Sequence, residues 1–171
     1  MLVQSRKIGI MSDSASLPKC PVCHKTDVKK LDGQCILCRR CSETMRRVYR
    51  FCGACLREWS NGCPVDSACN LPDCALRAAL LSTKRINDPN CSVYRCPYFR
   101  ACPTCRALLT HTGQGCPNIV CPHCHMGFCF RCLRQNCYGE DDSDSDFELQ
   151  DPRIEQCTIV KNSSCLAALK L

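Results

Sequence analysis

No run in this sequence approaches the roughly 20 consecutive apolar residues of a membrane-spanning helix. The beginning also lacks the apolar core of a secretory signal. Arg6 and Lys7 interrupt it, and Ser12 to Ser16 is polar. No dense basic run marks a nuclear address. These absences lead us to expect an intracellular protein, cytoplasmic or nuclear, with no membrane partner. What the chain has in excess is cysteine, 22 residues of 171.

A cysteine-rich chain is either stapled by disulfides or held by metal. Disulfides need an oxidising compartment, normally reached through a signal peptide, and none is evident here. The spacing also favours metal. Most cysteines fall in C-x-x-C pairs, and two such pairs complete a tetrahedral zinc site. Cys20/Cys23, Cys38/Cys41 and Cys52/Cys55 make one set of pairs, and Cys102/Cys105, Cys121/Cys124 and Cys129/Cys132 make a second.

The two sets read as an internal repeat. In the first copy Cys20-Pro-Val-Cys23 is followed by Asp32-Gly33-Gln34-Cys35, Cys38-Arg-Arg-Cys41 and Phe51-Cys52-Gly-Ala-Cys55-Leu56. In the second, Cys102-Pro-Thr-Cys105 is followed by Gly113-Gln114-Gly115-Cys116, Cys121-Pro-His-Cys124 and Phe128-Cys129-Phe-Arg-Cys132-Leu133. Each copy is near the size at which metals must supply stability.

Analogy within the repeat gives four ligand sets, hence about four zinc ions. They are Cys20, Cys23, Cys38 and Cys41; Cys52, Cys55, Cys69 and Cys74; Cys102, Cys105, Cys121 and Cys124; and Cys129, Cys132, Cys137 and Cys157. Cys165 is the alternative fourth ligand of the last set. Cys35, Cys63, Cys91, Cys96, Cys116 and Cys165 are left over. The four histidines are possible substitutes, His123 lying inside a ligand pair and His125 just after it.

Zinc revises the charge. The formal +7 counts thiols as neutral. A zinc ion with four thiolates carries about −2, so four sites bring the chain to about −1. A basic isoelectric point is then weak support for nucleic-acid binding. The arginines at 39, 40, 46, 47, 50 and 57 read as a solvated face that offsets neighbouring thiolates.

The expected architecture is two small zinc-stabilised modules, irregular, with short β-hairpins, one linking helix and no large apolar core. Residues 1–19 read as a flexible lead-in, 20–74 as the first module, 75–95 as a helical linker and 96–165 as the second module. Ala75 to Ile86 is rich in Ala and Leu and is stopped by Asn87-Asp88-Pro89. Its Leu76, Leu80 and Leu81 are expected to face the core. Arg46 to Phe51 and Met126 to Phe130 read as strands. Residues 140–151 carry seven acids and no base. They read as a solvated acidic insertion, in which Ser143 and Ser145 suit an acid-directed kinase.

The pattern resembles the zinc modules of RBR (RING-between-RING-RING) ubiquitin ligases. Cys52-x-x-Cys55 and Cys69-x4-Cys74 resemble the in-between-RING module (IBR, or BRcat), although a histidine is usual where Cys69 stands. Residues Ala101 to Cys121, followed by Phe128-Cys-Phe-Arg-Cys-Leu133, resemble the catalytic second RING (Rcat). The likeness covers about residues 20–137 and implies tandem IBR-like and second-RING-like zinc fingers. It also implies that Cys116 is a nucleophile, which accepts ubiquitin from a conjugating enzyme as a thioester and passes it to a lysine. Ubiquitin and a conjugating enzyme are the partners so implied. A thiolate is well suited to this role.

The chain departs from the family in three places. Asn118 stands where a general-base histidine is usual, so His111, His123 and His125 are the candidate substitutes. No first RING precedes the first module. Cys35 occupies a similar place in the first copy, as though the position belonged to the repeat. Cys116, left unpaired by the ligand count, leans the reading towards an RBR-type transferase all the same. A non-catalytic zinc scaffold for ubiquitin-pathway proteins is the alternative. A nucleic-acid-binding zinc protein is the lesser one, supported only by the arginines with Tyr49, Phe51 and Trp59 nearby.

Overall fold

The computed structural model describes residues 17–135, 137 and 157–171. The lead-in to residue 16 and the acidic segment, with Ser143 and Ser145, lie outside the described residues. The chain divides into two compact units, Met1–Ala78 and Ala79–Leu171.

The first unit is a three-stranded antiparallel sheet in the order β1 (Val28–Lys30), β2 (Cys35–Cys38), β3 (Arg50–Cys52). Between β2 and β3 lies helix α1 (Arg39–Met45). The second unit has two antiparallel hairpins. One pairs β4 (Phe99–Ala101) with β5 (Leu108–Thr110), and the other pairs β6 (Asn118–Val120) with β7 (Gly127–Cys129). Helix α2 (Cys74–Leu81) crosses the division at residues 78 and 79, and α3 (Asn162–Ala168) closes the second unit.

Five of the six C-x-x-C pairs fold into the same knuckle. In each, the first cysteine's N–H donates to the carbonyl five residues on. The residue four positions on donates back to the first cysteine's carbonyl. Cys20 N to Lys25 O is 3.0 Å and His24 N to Cys20 O is 2.9 Å; Cys129 N to Arg134 O is 2.9 Å and Leu133 N to Cys129 O is 2.8 Å. The pairs starting at Cys52, Cys102 and Cys121 repeat this. The turn requires a left-handed residue after the second cysteine. His24, Leu56, Arg106, His125 and Leu133 occupy it, with φ between 57° and 65°. None is glycine, so each knuckle bears backbone strain of about 1 kcal/mol or more.

The sixth pair differs. Cys38 is the N-cap of α1, its sulfur accepting from Cys41 N at 3.5 Å. Ser42 to Met45 continue the helix, with the Ser42 and Thr44 hydroxyls donating to Cys38 O and Arg40 O at 2.7 and 2.9 Å, and Arg46 ends it in the left-handed conformation at φ 50°. At the matching place in the second unit the chain reads Cys124-His-Met-Gly and turns at once into β7.

The helix expected over Ala75 to Ile86 is shorter, Cys74–Leu81. Asn87-Asp88-Pro89 does not stop it. Ile86 is instead held by Cys96, whose carbonyl accepts its N–H at 3.0 Å, and is buried beside Val93 and Phe130. Leu80 is buried, whereas Leu76 and Leu81 are half-buried. The expected strands shrink to Arg50–Cys52 and Gly127–Cys129. Helices α1 and α3 were not expected.

Most apolar clusters are built on cysteines. One gathers Cys20, Cys38 and Cys41 with Ile36, Tyr49 and Phe51; another gathers Cys35, Cys52, Cys55 and Cys63 with Trp59. In the second unit Leu109 and Phe128 pack on Cys102 and Cys121. A buried aromatic side chain contributes about 2–3 kcal/mol, against roughly 10 kcal/mol for a structural zinc. Cores this small would leave metal as the larger stabilising contribution.

Candidate metal centres and a candidate nucleophile

Sixteen cysteine sulfurs gather into four groups, each with its atoms within 4.8 Å of one another. The groups are Cys20, Cys23, Cys38 and Cys41; Cys52, Cys55, Cys69 and Cys74; Cys102, Cys105, Cys121 and Cys124; and Cys129, Cys132, Cys137 and Cys157. A tetrahedron with zinc–sulfur bonds of about 2.3 Å has edges of about 3.8 Å. Cys20–Cys41, Cys23–Cys38, Cys102–Cys124, Cys105–Cys121 and Cys129–Cys157 are each 3.6 Å, and Cys52–Cys74 is 3.9 Å. The four clusters are therefore compatible with four zinc sites. Cys165 does not join the last one. It is buried in α3, 4.0 Å from the Arg100 guanidinium.

Thiols this close cannot all ionise by themselves. Hydrogen bonding from Cys52 holds Cys55 low, at about 4, while Cys52 itself is pushed up. Burial and the neighbouring thiols push Cys74 up to about 12. The backbone at Lys25 draws Cys23 down to about 7 while burial raises Cys38. A divalent cation would replace the retained protons, and this donor set suits zinc.

Six cysteines lie outside the clusters, and five of them, Cys35, Cys63, Cys91, Cys96 and Cys165, are buried. Burial pushes the thiols of Cys35, Cys96 and Cys165 up. Cys116 alone of the six is exposed. It lies just before β6, between the ligand pairs Cys102/Cys105 and Cys121/Cys124. The N–H of Asn118 donates to its sulfur at 3.4 Å.

The strand registers separate Cys116 from Cys35. Cys35 lies opposite Cys52 in the first unit, and Asn118 lies opposite Cys129 in the second. The flanking hydrogen bonds agree, with Gly53 N to Gln34 O at 2.8 Å and Phe130 N to Pro117 O at 2.7 Å. Cys35 thus matches Asn118, and Cys116 matches Gly33. The glycine-flanked cysteine is not a shared feature of the two copies.

Of the histidines considered as bases, His123 and His125 are exposed and belong to none of the four clusters. His111 is buried. Its Nδ1 accepts from Gly113 N at 2.9 Å and its Nε2 donates to Cys116 O at 3.1 Å. Both ring nitrogens are therefore engaged with backbone. Sequence reasoning missed Ser92, whose hydroxyl donates to Gly115 O at 2.6 Å. It also missed Arg131, which donates to Ser92 O at 2.9 Å and to Cys157 O at 3.3 Å. No local pattern marks either residue.

The arginine-rich stretch has lost its aromatic support. Tyr49, Phe51 and Trp59 are buried and cannot stack on bases. Arg47 is paired with Glu58 at 2.5 Å. Among the described residues no helix is long and apolar enough to cross a membrane.

Comparison with known proteins gives a distant, partial resemblance. The chain is 26% identical over 114 residues to the E3 ubiquitin-protein ligase RNF144A of Mus musculus. The match covers 66% of this chain and 33% of that protein, so the chain spans about a third of that relative's length. No family model and no solved structure matches.

Proposed function

We propose that this chain is a zinc-stabilised ubiquitin transferase of RBR type, with Cys116 as the acceptor. The observation that carries this reading is the isolation of Cys116. It is the exposed cysteine outside the four clusters, and it lies between two ligand pairs. The resemblance to a ubiquitin ligase supports the same chemistry. On this reading the first unit is the IBR-like module and the second the Rcat-like one. The sixteen clustered cysteines hold four zinc ions, which stabilise the modules and take no part in the transfer.

The chemistry balances at the Cys116 sulfur. Its thiolate attacks the carbonyl carbon of a ubiquitin thioester carried by a conjugating enzyme. The new C–S bond forms as the bond to the enzyme's sulfur breaks, and that sulfur leaves as thiolate. A lysine amine then attacks the same carbon. The C–N bond forms, the Cys116 thiolate departs, and the amine proton passes to solvent. Asn118 accepts no proton at neutral pH.

Asn118 favours a second reading, a non-catalytic scaffold that binds ubiquitin or ubiquitin-pathway proteins. A transfer assay separates the two. Zinc-loaded protein is mixed with an activating enzyme and a panel of charged conjugating enzymes. A reducible ubiquitin adduct, absent in Cys116→Ala, is expected of the transferase. No adduct with any partner, with zinc content and fold intact, would overturn the transferase and favour the scaffold.

A further inference from the structure

We infer that His111 is a positioning residue that clamps the Cys116 loop, and that it is not the proton acceptor. The inference rests on the transferase reading. Cys116 sits at the end of a loop containing Gly113 and Gly115, both left-handed at φ 91° and 84°. Such a loop is intrinsically loose, because glycine loses more freedom on ordering than any other residue.

Three contacts hold it. The His111 ring bridges its two ends, Nδ1 taking the Gly113 N–H and Nε2 giving its proton to the Cys116 carbonyl. The Ser92 hydroxyl holds the carbonyl of Gly115, the neighbouring peptide. The Pro117 carbonyl accepts from Phe130 N at 2.7 Å. The imidazole is itself buttressed by the Phe130 ring, 5.3 Å away between centroids.

This arrangement fixes the tautomer. Nδ1 faces a donor and Nε2 faces an acceptor, so the proton sits on Nε2. Neither nitrogen is free to take a proton from an incoming amine without breaking a contact to the loop. With Ser92 on the Gly115 carbonyl and His111 on the Cys116 carbonyl, the peptides on both sides of the Cys116 Cα are anchored. The Asn118 N–H is aimed at the sulfur, and the sulfur remains open to solvent. Preorganisation of this kind matters for a transfer between two protein-borne groups. A misplacement of about 1 Å can cost on the order of 100-fold in rate.

The test uses the full chain loaded with zinc, with His111→Ala, His111→Gln and Ser92→Ala. Glutamine keeps one acceptor and one donor. Zinc content is measured first, so that a variant that fails to fold is recognised; Ser92→Ala then reports on the clamp from its other side. Amide exchange at Gly113, whose N–H loses its acceptor in His111→Ala, should speed by about threefold to tenfold when followed by NMR, the factor one lost hydrogen bond gives. Single-turnover formation of the Cys116 adduct and its discharge to lysine should slow together by about 10- to 100-fold. Both pH profiles should keep their shape, and His111→Gln should recover part of each rate.

Unchanged exchange at Gly113 in His111→Ala would overturn the clamp. Selective loss of the discharge step, with His111→Gln equally inactive, would make His111 the base instead. If the unaltered chain forms no adduct, the transferase reading falls, and with it the role of the clamp in transfer. The exchange measurement then still shows whether the clamp itself exists.

Discussion

At the scale of single residues, cysteines of one type divide by surroundings. Cys116 is exposed and bonds only through its backbone and one N–H, so Cys116→Ser should leave zinc content and thermal stability unchanged, within about 0.5 kcal/mol. Cys121→Ser should instead remove a ligand, lower the zinc content and destabilise the second unit. Zinc stoichiometry and a thermal scan on the two proteins would check both outcomes. Arg100 is the less obvious residue. It is wholly buried, and its guanidinium donates to Phe130 O, Arg131 O and Asn162 Oδ1 at 3.0–3.1 Å. Burial lowers its pKa, yet no carboxylate pairs with it in these contacts. Asn162 in turn donates to Leu80 O and Phe99 O, at 3.0 and 3.1 Å. Arg100→Ala should cost about 3 kcal/mol, because it leaves several buried acceptors without donors. A denaturation series on zinc-loaded protein would measure it, and a loss below about 0.5 kcal/mol would contradict this account.

At the scale of elements, the knuckle is the recurring unit, and the departure from it at Cys38 is informative. The chain after Cys41 continues as α1 in place of a knuckle, and Arg46 then takes a left-handed C-cap. Glycine adopts that conformation without steric cost. Arg46→Gly should therefore raise the stability of the first unit by about 0.5–1 kcal/mol, read as a higher melting temperature at fixed zinc. The clustering of these cysteine pairs was legible in the sequence because a C-x-x-C spacing acts within one turn. The short α2 was misjudged because Ile86 exchanges helical bonds for pairing with Cys96, a contact made by a turn that local propensity does not describe. The likeness drawn between Cys35 and Cys116 failed for a related reason. Strand register is set by hydrogen bonds to a partner strand, and the spacing of glycines does not report it.

At the scale of the whole molecule, the proposed zinc ions set against such small apolar cores would decide stability. A strong chelator under reducing conditions should unfold both units, measured as loss of dispersed NMR signals. Survival of the fold without zinc would refute the metal assignment. The pH dependence follows from the thiols. Without a cation, Cys74 retains its proton up to about pH 12. Zinc must displace that proton, so binding releases it. Affinity then rises about tenfold per pH unit for each proton displaced, and falls as pH drops. Zinc occupancy and melting temperature should decline together on acidification, a titration that a colorimetric zinc indicator can follow.

The sequence by itself determined which cysteines lie in local pairs, and from their order which pairs belong together. Metal coordination is short-ranged in its demands: two thiols three residues apart are already within reach of one ion. Sequence order favoured Cys157 for the last cluster but left Cys165 open, and tertiary structure removed that alternative by burying Cys165 in α3 beside Arg100. Tertiary structure alone buried five of the spare thiols, exposed the sixth, and set both nitrogens of His111 on the loop that carries it. These outcomes depend on groups brought together from distant parts of the chain. Burial, register and hydrogen-bond partners of that kind are properties of packing, and no spacing along the sequence encodes them.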